Sequence, residues 1–216
     1  MSVEFDFPLA ILAKAPLPGR VKTRLIPRLG AAGAAALHEA LLWQTLETAV
    51  TATAPASITL WTALEHRHSF FRECRSHFGI RLRSQPRGDL GVRMHAALAA
   101  MPRPGLLIGS DCAVLDAALL QRCQAALAVA HCVLLPAEDG GYALVGMQRA
   151  DRRLFADIDW GSERVMAQTR SRIATLGWTC ACPATVWDID RPEDLDRLAT
   201  LPNAAHWQAL IDASKR

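Results

Sequence analysis

Four basic side chains fall within eleven residues near the start of the chain: Lys14, Arg20, Lys22 and Arg24. Pro16 and Pro18 stiffen the segment that carries them, and Gly19 lets the backbone approach a ligand closely. Cations in a preordered loop suit the spread charge of a diphosphate, which they would stabilise as it leaves. A solvated basic loop is the plainer alternative. The segment is not a Walker A loop, because Val21 stands where a Gly should precede Lys-Thr.

Carboxylates supply the complementary chemistry. The run Gly105-Leu-Leu-Ile108 ends in Gly109-Ser110-Asp111, which puts a carboxylate at the tip of an expected central strand. An Asp so placed suits Mg²⁺ or Mn²⁺, which one or two carboxylates hold together with substrate phosphates. The competing role is a helix cap, for which Asp116 is also available. Asp188 and Asp190 lie on one side of an extended Trp187-Asp-Ile-Asp190 segment and would either complete that metal site or cap a helix after Pro192. Asp139-Gly140-Gly141-Tyr142 has the strongest short hairpin signal, yet its glycines would also let backbone amides meet a ligand. The segment from Gln85 to Met94 could seat a nucleotide on its glycines and first helical amides.

Other residues argue against other chemistries. Cys180-x-Cys182 has no partner at zinc spacing, and His66 and His68 sit on an expected polar helix with no carboxylate pattern around them. A net charge of +3 with a single Tyr gives neither the electrostatic footprint nor the stacking platforms of a nucleic-acid binder. Met1 to Phe7 contains two acids and no basic n-region, and Leu9 to Ala13 is too short to span a bilayer, so the expectation is a cytoplasmic protein with reduced cysteines.

The elements that must position these residues follow from apolar patterning. Strands are expected at Phe7 to Ala13, Ser57 to Thr62, Ile80 to Ser84, Gly105 to Ile108, Cys132 to Pro136 and Tyr142 to Met147. Helices are expected at Ala31 to Val50, His66 to His77, Leu90 to Met101, Asp116 to Val129, Ser162 to Leu176 and Pro192 to Leu198, with a further one after Pro202. The alternation implies a doubly wound, mainly parallel α/β sheet with helices on both faces. Its ligands would collect at the carboxyl ends of the strands, where the basic loop and the carboxylates fall. No linker or repeat divides the 216 residues, so residues 1–216 are read as one domain.

Taken together these segments resemble the DUF2064 family of the GT-A-like, nucleotide-diphospho-sugar transferase superfamily. The resemblance rests on Lys14 to Leu25, Gly88 to Met94, Ile108-Gly-Ser-Asp-Cys112, Pro136 to Tyr142, Phe155 with Trp160, and Asp188-Ile-Asp190 before Pro192-Glu-Asp-Leu195. Two positions depart from the family pattern: Ala113 replaces a Pro, and Gly161-Ser162 follows Trp160 where Ser-Thr is common. The resemblance implies a Rossmann-like core and a divalent metal, Mg²⁺ or Mn²⁺, at Asp111 with Asp188 or Asp190. It implies a nucleotide against Ala13, Pro16, Gly19, Arg20, Gly88, Asp89, Gly91 and Ser110. Lys14, Lys22 and Arg24 would act on the phosphates, and the transferred group would meet Asp139, Gly140, Gly141, Tyr142 and Trp160. Glycosyl transfer from a nucleotide sugar is the leading expectation. Nucleotidyl transfer from an NTP to a phosphorylated acceptor is the runner-up, and nucleotide binding without turnover the third reading. The partner is a nucleotide-activated small molecule, with no nucleic acid and no membrane, and a homodimer is compatible with the sequence.

Overall fold

The computed structural model describes residues 6–201 and 203–213. The N-terminal stretch read for an export signal lies, as far as Phe5, outside them. Seven strands form one sheet in the order β3-β2-β1-β4-β6-β5-β7. They are β1 (Leu9–Lys14), β2 (Ile58–Ala63), β3 (Arg81–Ser84), β4 (Gly105–Ile108), β5 (Cys132–Pro136), β6 (Tyr142–Met147) and β7 (Cys180–Ala181). The helices are α1 (Ile26–Ala52), α2 (Ser69–Phe78), α3 (Leu90–Ala99), α4 (Ala117–Ala126), α5 (Val165–Thr175), α6 (Asp194–Arg197) and α7 (Ala204–Ala213).

The period of two along the central strands builds two cores. Leu9 and Ile11 of β1 and Leu106 and Ile108 of β4 pack with Leu42 and Leu46 of α1, Phe71 of α2 and Leu120 of α4. Ala10, Leu107 and Val145 face the other way, toward Met94 and Leu98 of α3 and Ile173 of α5. Strands covered on both faces read as continuous apolar runs, which is why β1, β4 and β5 carry almost no polar residue. A third cluster ties the first half of α1 to the C-terminal helices through Leu29, Leu37, Trp207 and Ile211.

The expected strands β4, β5 and β6 have the anticipated bounds, and the other three shift by one or two residues. Helix α1 starts earlier than expected, with Gly30 at φ 68° breaking its regularity. Asp116 and Asp89 cap α4 and α3 by accepting from Leu119 N at 2.7 Å and Val92 N at 2.8 Å. The two histidines read as helical lie outside α2: His68 caps it and His66 contacts Thr62 Oγ1. β7 is two residues long, too short for a pattern to reveal, and runs parallel to β5.

β6 is antiparallel to both β4 and β5 because the Asp139-Gly140-Gly141 turn folds it straight back on β5. Ala137 N donates to Gly141 O at 3.0 Å, and Gly141 N to Asp139 Oδ1 at 2.9 Å. The remaining ladders β3-β2, β2-β1, β1-β4 and β5-β7 are parallel. Strand order therefore reverses at the β1/β4 junction. In an open α/β sheet that crevice, beyond the carboxyl ends of the strands, is where ligands bind.

Candidate active site

A cleft of about 480 Å³ opens at this junction, within the range usual for small-molecule sites. Leu12, Met94, Leu107 and Val145 line its apolar part, and Lys14, Arg20, Arg24, Gln85, Arg93, Asp111 and Asp190 its polar part. Lys14, Arg20 and Arg24 are exposed, so the first loop offers the cleft three solvated cations.

Lys22 behaves differently. It takes left-handed backbone angles (φ 46°, ψ 40°), uncommon for a residue with a side chain, and turns its ammonium into the protein. Nζ lies 2.8 Å from Asp111 Oδ1 and donates to Ile189 O. Ile189 N in turn donates to Asp111 O at 2.9 Å, so the loop after β4 and the 187–190 segment are joined by backbone and side chain together. With its side chain 3% exposed, Lys22 organises the carboxylate site and is not a free phosphate-binding cation.

His38 of α1 stands behind the same carboxylate. Its Nε2–H donates to the Lys14 carbonyl at 2.9 Å, and Nδ1 lies 3.9 Å from Asp111 Oδ1. Burial lowers its pKa and the nearby Asp111 charge offsets this only in part, so the imidazole is neutral at pH 7. Burial would raise the Asp111 carboxyl, but Lys22, through its charge and its hydrogen bond, acts together with His38 and Lys14 to hold the group below its ordinary value. Asp111 is therefore an anion with its two oxygens in different surroundings. Oδ1 is buried against Lys22, whereas the side chain as a whole is 44% exposed and lines the cleft, which leaves Oδ2 open.

Asp188 has the opposite environment. Burial and the charges of Asp139, Asp111 and Asp190 push its carboxyl up to about 6, and Lys22 relieves it only in part. Asp190 pairs with Arg24, and its backbone N–H donates to Asp194 Oδ2 at 3.0 Å. Among the described residues no three His, Cys, Asp or Glu side chains converge enough to hold an ion unaided. Two carboxylates plus ligand phosphates is the arrangement typical of Mg²⁺, and the open Asp111 oxygen and electrostatically strained Asp188 fit it. Neighbouring Cys112 is pushed up to about 12 by burial and supplies no thiolate at neutral pH.

The other expected site residues divide into those that face the cleft and those that build around it. Ala13, Ser110 and Tyr142 line it; burial raises the Tyr142 hydroxyl above its ordinary value, which keeps it a phenol. Pro16 is buried beside the basic loop, while Gly19 is exposed with φ 76° and turns it. Asp89 is occupied as a cap, and Gly88, at φ 130°, leads into it. Gly91 is buried under Phe155 and Trp160, on which a side chain there would press. Gly140 faces the Glu163 backbone, and its carbonyl accepts from Met166 N at 2.8 Å. Trp160 packs at 6.5 Å, edge-on, against Tyr142, with its Nε1 buried and lacking a hydrogen-bond partner among the described residues.

The sequence reading gave no role of their own to the polar cleft residues His38, Gln85 and Arg93. The one signal that could have found His38 is that it is the sole ionisable side chain in the inward stripe Ala34, Leu37, Leu41, Leu42. Gln85 opens the segment read as a nucleotide seat, but that reading rested on its glycines and first helical amides, and a lone amide side chain carries no motif.

Fold and site together define a Rossmann-like, GT-A-like α/β domain with an acid-and-base-lined cleft at its topological switch point. The chain belongs to the DUF2064 family, described as an uncharacterized protein conserved in bacteria, whose sequence profile matches residues 45–162, more than half of the chain. Curated proteins give no match. Among solved structures, a candidate nucleotide-diphospho-sugar transferase from Desulfovibrio desulfuricans G20 superposes with a TM-score of 0.79 at 21% identity, over 95% of this chain and 96% of that one. A cytidylyltransferase from Leptospira borgpetersenii gives 0.61 at 14% identity, over 96% and 93%. Glucosyl-3-phosphoglycerate synthase from Mycobacterium tuberculosis, solved with Mn²⁺, UDP and glucosyl-3-phosphoglycerate, gives 0.53 at 11% identity, over 96% and 80%. At these identities the likeness is one of fold. No described helix is long and apolar enough to cross a membrane.

Proposed function

We propose that this protein is a metal-dependent transferase acting on a nucleotide-activated small molecule, with glycosyl transfer from a nucleotide sugar as the leading reaction. The observation that carries this reading is the state of Asp111: a carboxylate kept anionic through Oδ1 by buried Lys22, with Oδ2 open to a cleft lined by Lys14, Arg20 and Arg24. Asp111 and Asp188 would hold Mg²⁺ or Mn²⁺ with the phosphates, and a bound divalent ion would neutralise charge on the departing diphosphate. That the M. tuberculosis synthase of similar fold was solved with Mn²⁺ and UDP supports this choice.

The chain's own groups carry the rest. Lys14 and Arg20 are free to bind phosphate oxygens, and Arg24 retains donors beyond its pairing with Asp190. The Lys22 and Ile189 contacts fix Asp111 before substrate arrives, so no reorganisation is needed as charge develops. Tyr142, backed by Trp160, bounds the side of the cleft where the transferred group would lie.

Nucleotidyl transfer is the second reading, favoured by the number of solvated cations: three in one loop suit a triphosphate as well as a diphosphate. Incubating the protein with Mn²⁺, NTPs and sugar phosphates, and separately with nucleotide sugars, separates the two. Pyrophosphate release from an NTP supports nucleotidyl transfer, and loss of sugar from a nucleotide sugar supports glycosyl transfer. Absence of Mn²⁺-dependent binding to every nucleotide tested would refute both.

A further inference from the structure

The end of the cleft away from Asp111 is built around one amide. Gln85 donates from Nε2 to the carbonyls of Trp61 at 2.8 Å and Ala13 at 3.2 Å, and its backbone N–H donates to Thr62 O at 2.9 Å. These bonds fix which way the amide points, since the flipped orientation would set its oxygen against two carbonyls. The Nε2 group is thus turned into the β1 and β2 strand ends, and Oε1 is what Gln85 presents to the cleft it lines. A residue able to both donate and accept has been made an acceptor only.

One free acceptor, Gln85 Oε1, therefore stands there beside the apolar Leu12, Leu90 and Met94, because the Ala13 and Trp61 carbonyls are taken up by Nε2. The site lies about one and a half strand spacings, roughly 7 Å, from the end of β4, where Asp111 stands. Flat apolar walls with an acceptor at one edge suit a nucleobase, with a ribose bridging to phosphates at the Asp111 end. We infer that Gln85 selects the base, accepting a hydrogen bond from an exocyclic amino group, so that cytosine, adenine or guanine nucleotides are preferred to uracil and thymine nucleotides. An exocyclic amino group directs an N–H at this acceptor, whereas uracil and thymine carry a carbonyl where cytosine has its amino group, and that oxygen is repelled by Oε1. This inference rests on the nucleotide-binding reading above and narrows its substrate class.

The test is calorimetric titration of the wild-type protein with CTP, ATP, GTP, UTP, dTTP and inorganic tripolyphosphate, each with Mn²⁺. The inference predicts that at least one amino-bearing nucleotide binds about tenfold or more tighter than UTP and dTTP, the size of one buried hydrogen bond. Removing the exocyclic amino group from that nucleotide should abolish the advantage. In Gln85→Met the preference should fall within about threefold while tripolyphosphate binds as before. Three results would overturn the inference: UTP or dTTP binding as tightly as the other three, a preference that survives in Gln85→Met, or an equal loss for tripolyphosphate. Each leaves the proposed function standing if nucleotides still bind with Mn²⁺. Failure of every nucleotide and of tripolyphosphate to bind the wild-type protein would instead remove the proposed function and this inference with it.

Discussion

The ammonium of Lys22 lies 2.8 Å from Asp111 Oδ1, at 3% side-chain exposure, across a separation of 89 residues along the chain. That contact ties the basic loop after β1 to the carboxylate after β4 at the switch point of the sheet. Its consequence is for stability as much as for binding. Lys22→Met should leave a partly buried carboxylate without its counter-charge and cost about 2–4 kcal/mol, the lower part of that range applying because Oδ2 stays solvated. Urea denaturation of the two proteins measures the difference. A loss below about 0.5 kcal/mol, typical of a surface substitution, would mean that the pair does not organise the site.

Asp188 should be held in its charged form against its environment. Its folded-state pKa of about 6 exceeds the ordinary 3.8, so its ionisation costs stability as pH rises from about 4 through 6, and the cost is fully present at pH 7.5. Without metal, Asp188→Asn should therefore stabilise the protein at pH 7.5, by about 1 kcal/mol once partial solvation is allowed for, and not at pH 4. The same variant should lose Mn²⁺-dependent nucleotide binding. Thermal melts at the two pH values, with and without Mn²⁺, read both effects. Destabilisation at pH 7.5 would contradict the electrostatic picture.

His38 gives a pH dependence of the other sign. Its folded-state pKa lies below the 6.5 of the unfolded chain, so the unfolded state binds the proton first, and stability falls as pH drops below 6.5 and through the folded value. The slope attributable to this residue should reach at most about 1.4 kcal/mol per pH unit. Gln at this position can still donate to the Lys14 carbonyl but cannot titrate. Denaturation midpoints of wild type and His38→Gln should converge as pH falls from 7.5 to 5.5; parallel profiles would show that His38 is not buried as a neutral base.

Gly140 makes the β5-β6 turn dependent on a missing side chain. Its φ is +89°, and a Cβ there would collide with the Glu163 backbone. Strain and overlap together should make Gly140→Ala cost about 3 kcal/mol or more. An effect near zero in denaturant titration would contradict this packing of the turn on the start of α5.

The sequence made the architecture legible where physics is local. Apolar runs named β4, β5 and β6 to the residue, since strands buried on both faces admit almost nothing polar. The Asp-Gly-Gly signal marked the turn that makes β6 antiparallel. The candidate site was legible in outline, because strand ends are where an α/β sheet keeps its ligand-facing residues. Roles that depend on distant partners were not legible. Lys22 reads like its neighbours in the loop, and only the 187–190 segment folding over it makes it a buried clamp. Asp190 reads like Asp188 until Arg24 arrives to pair with it. His38 and Gln85 depend in the same way on backbone carbonyls of other strands, which accept from them.

The most direct test of the central claim is calorimetric titration of wild type and Asp111→Asn with Mn²⁺ and a nucleotide. Asn preserves the shape of the side chain and removes the charge that Lys22 and a hard cation share. The account predicts that Mn²⁺-dependent binding is lost in Asp111→Asn while the variant still unfolds cooperatively. Metal-dependent affinity equal to that of the wild type would contradict it and leave Asp111 as no more than the counter-ion of Lys22.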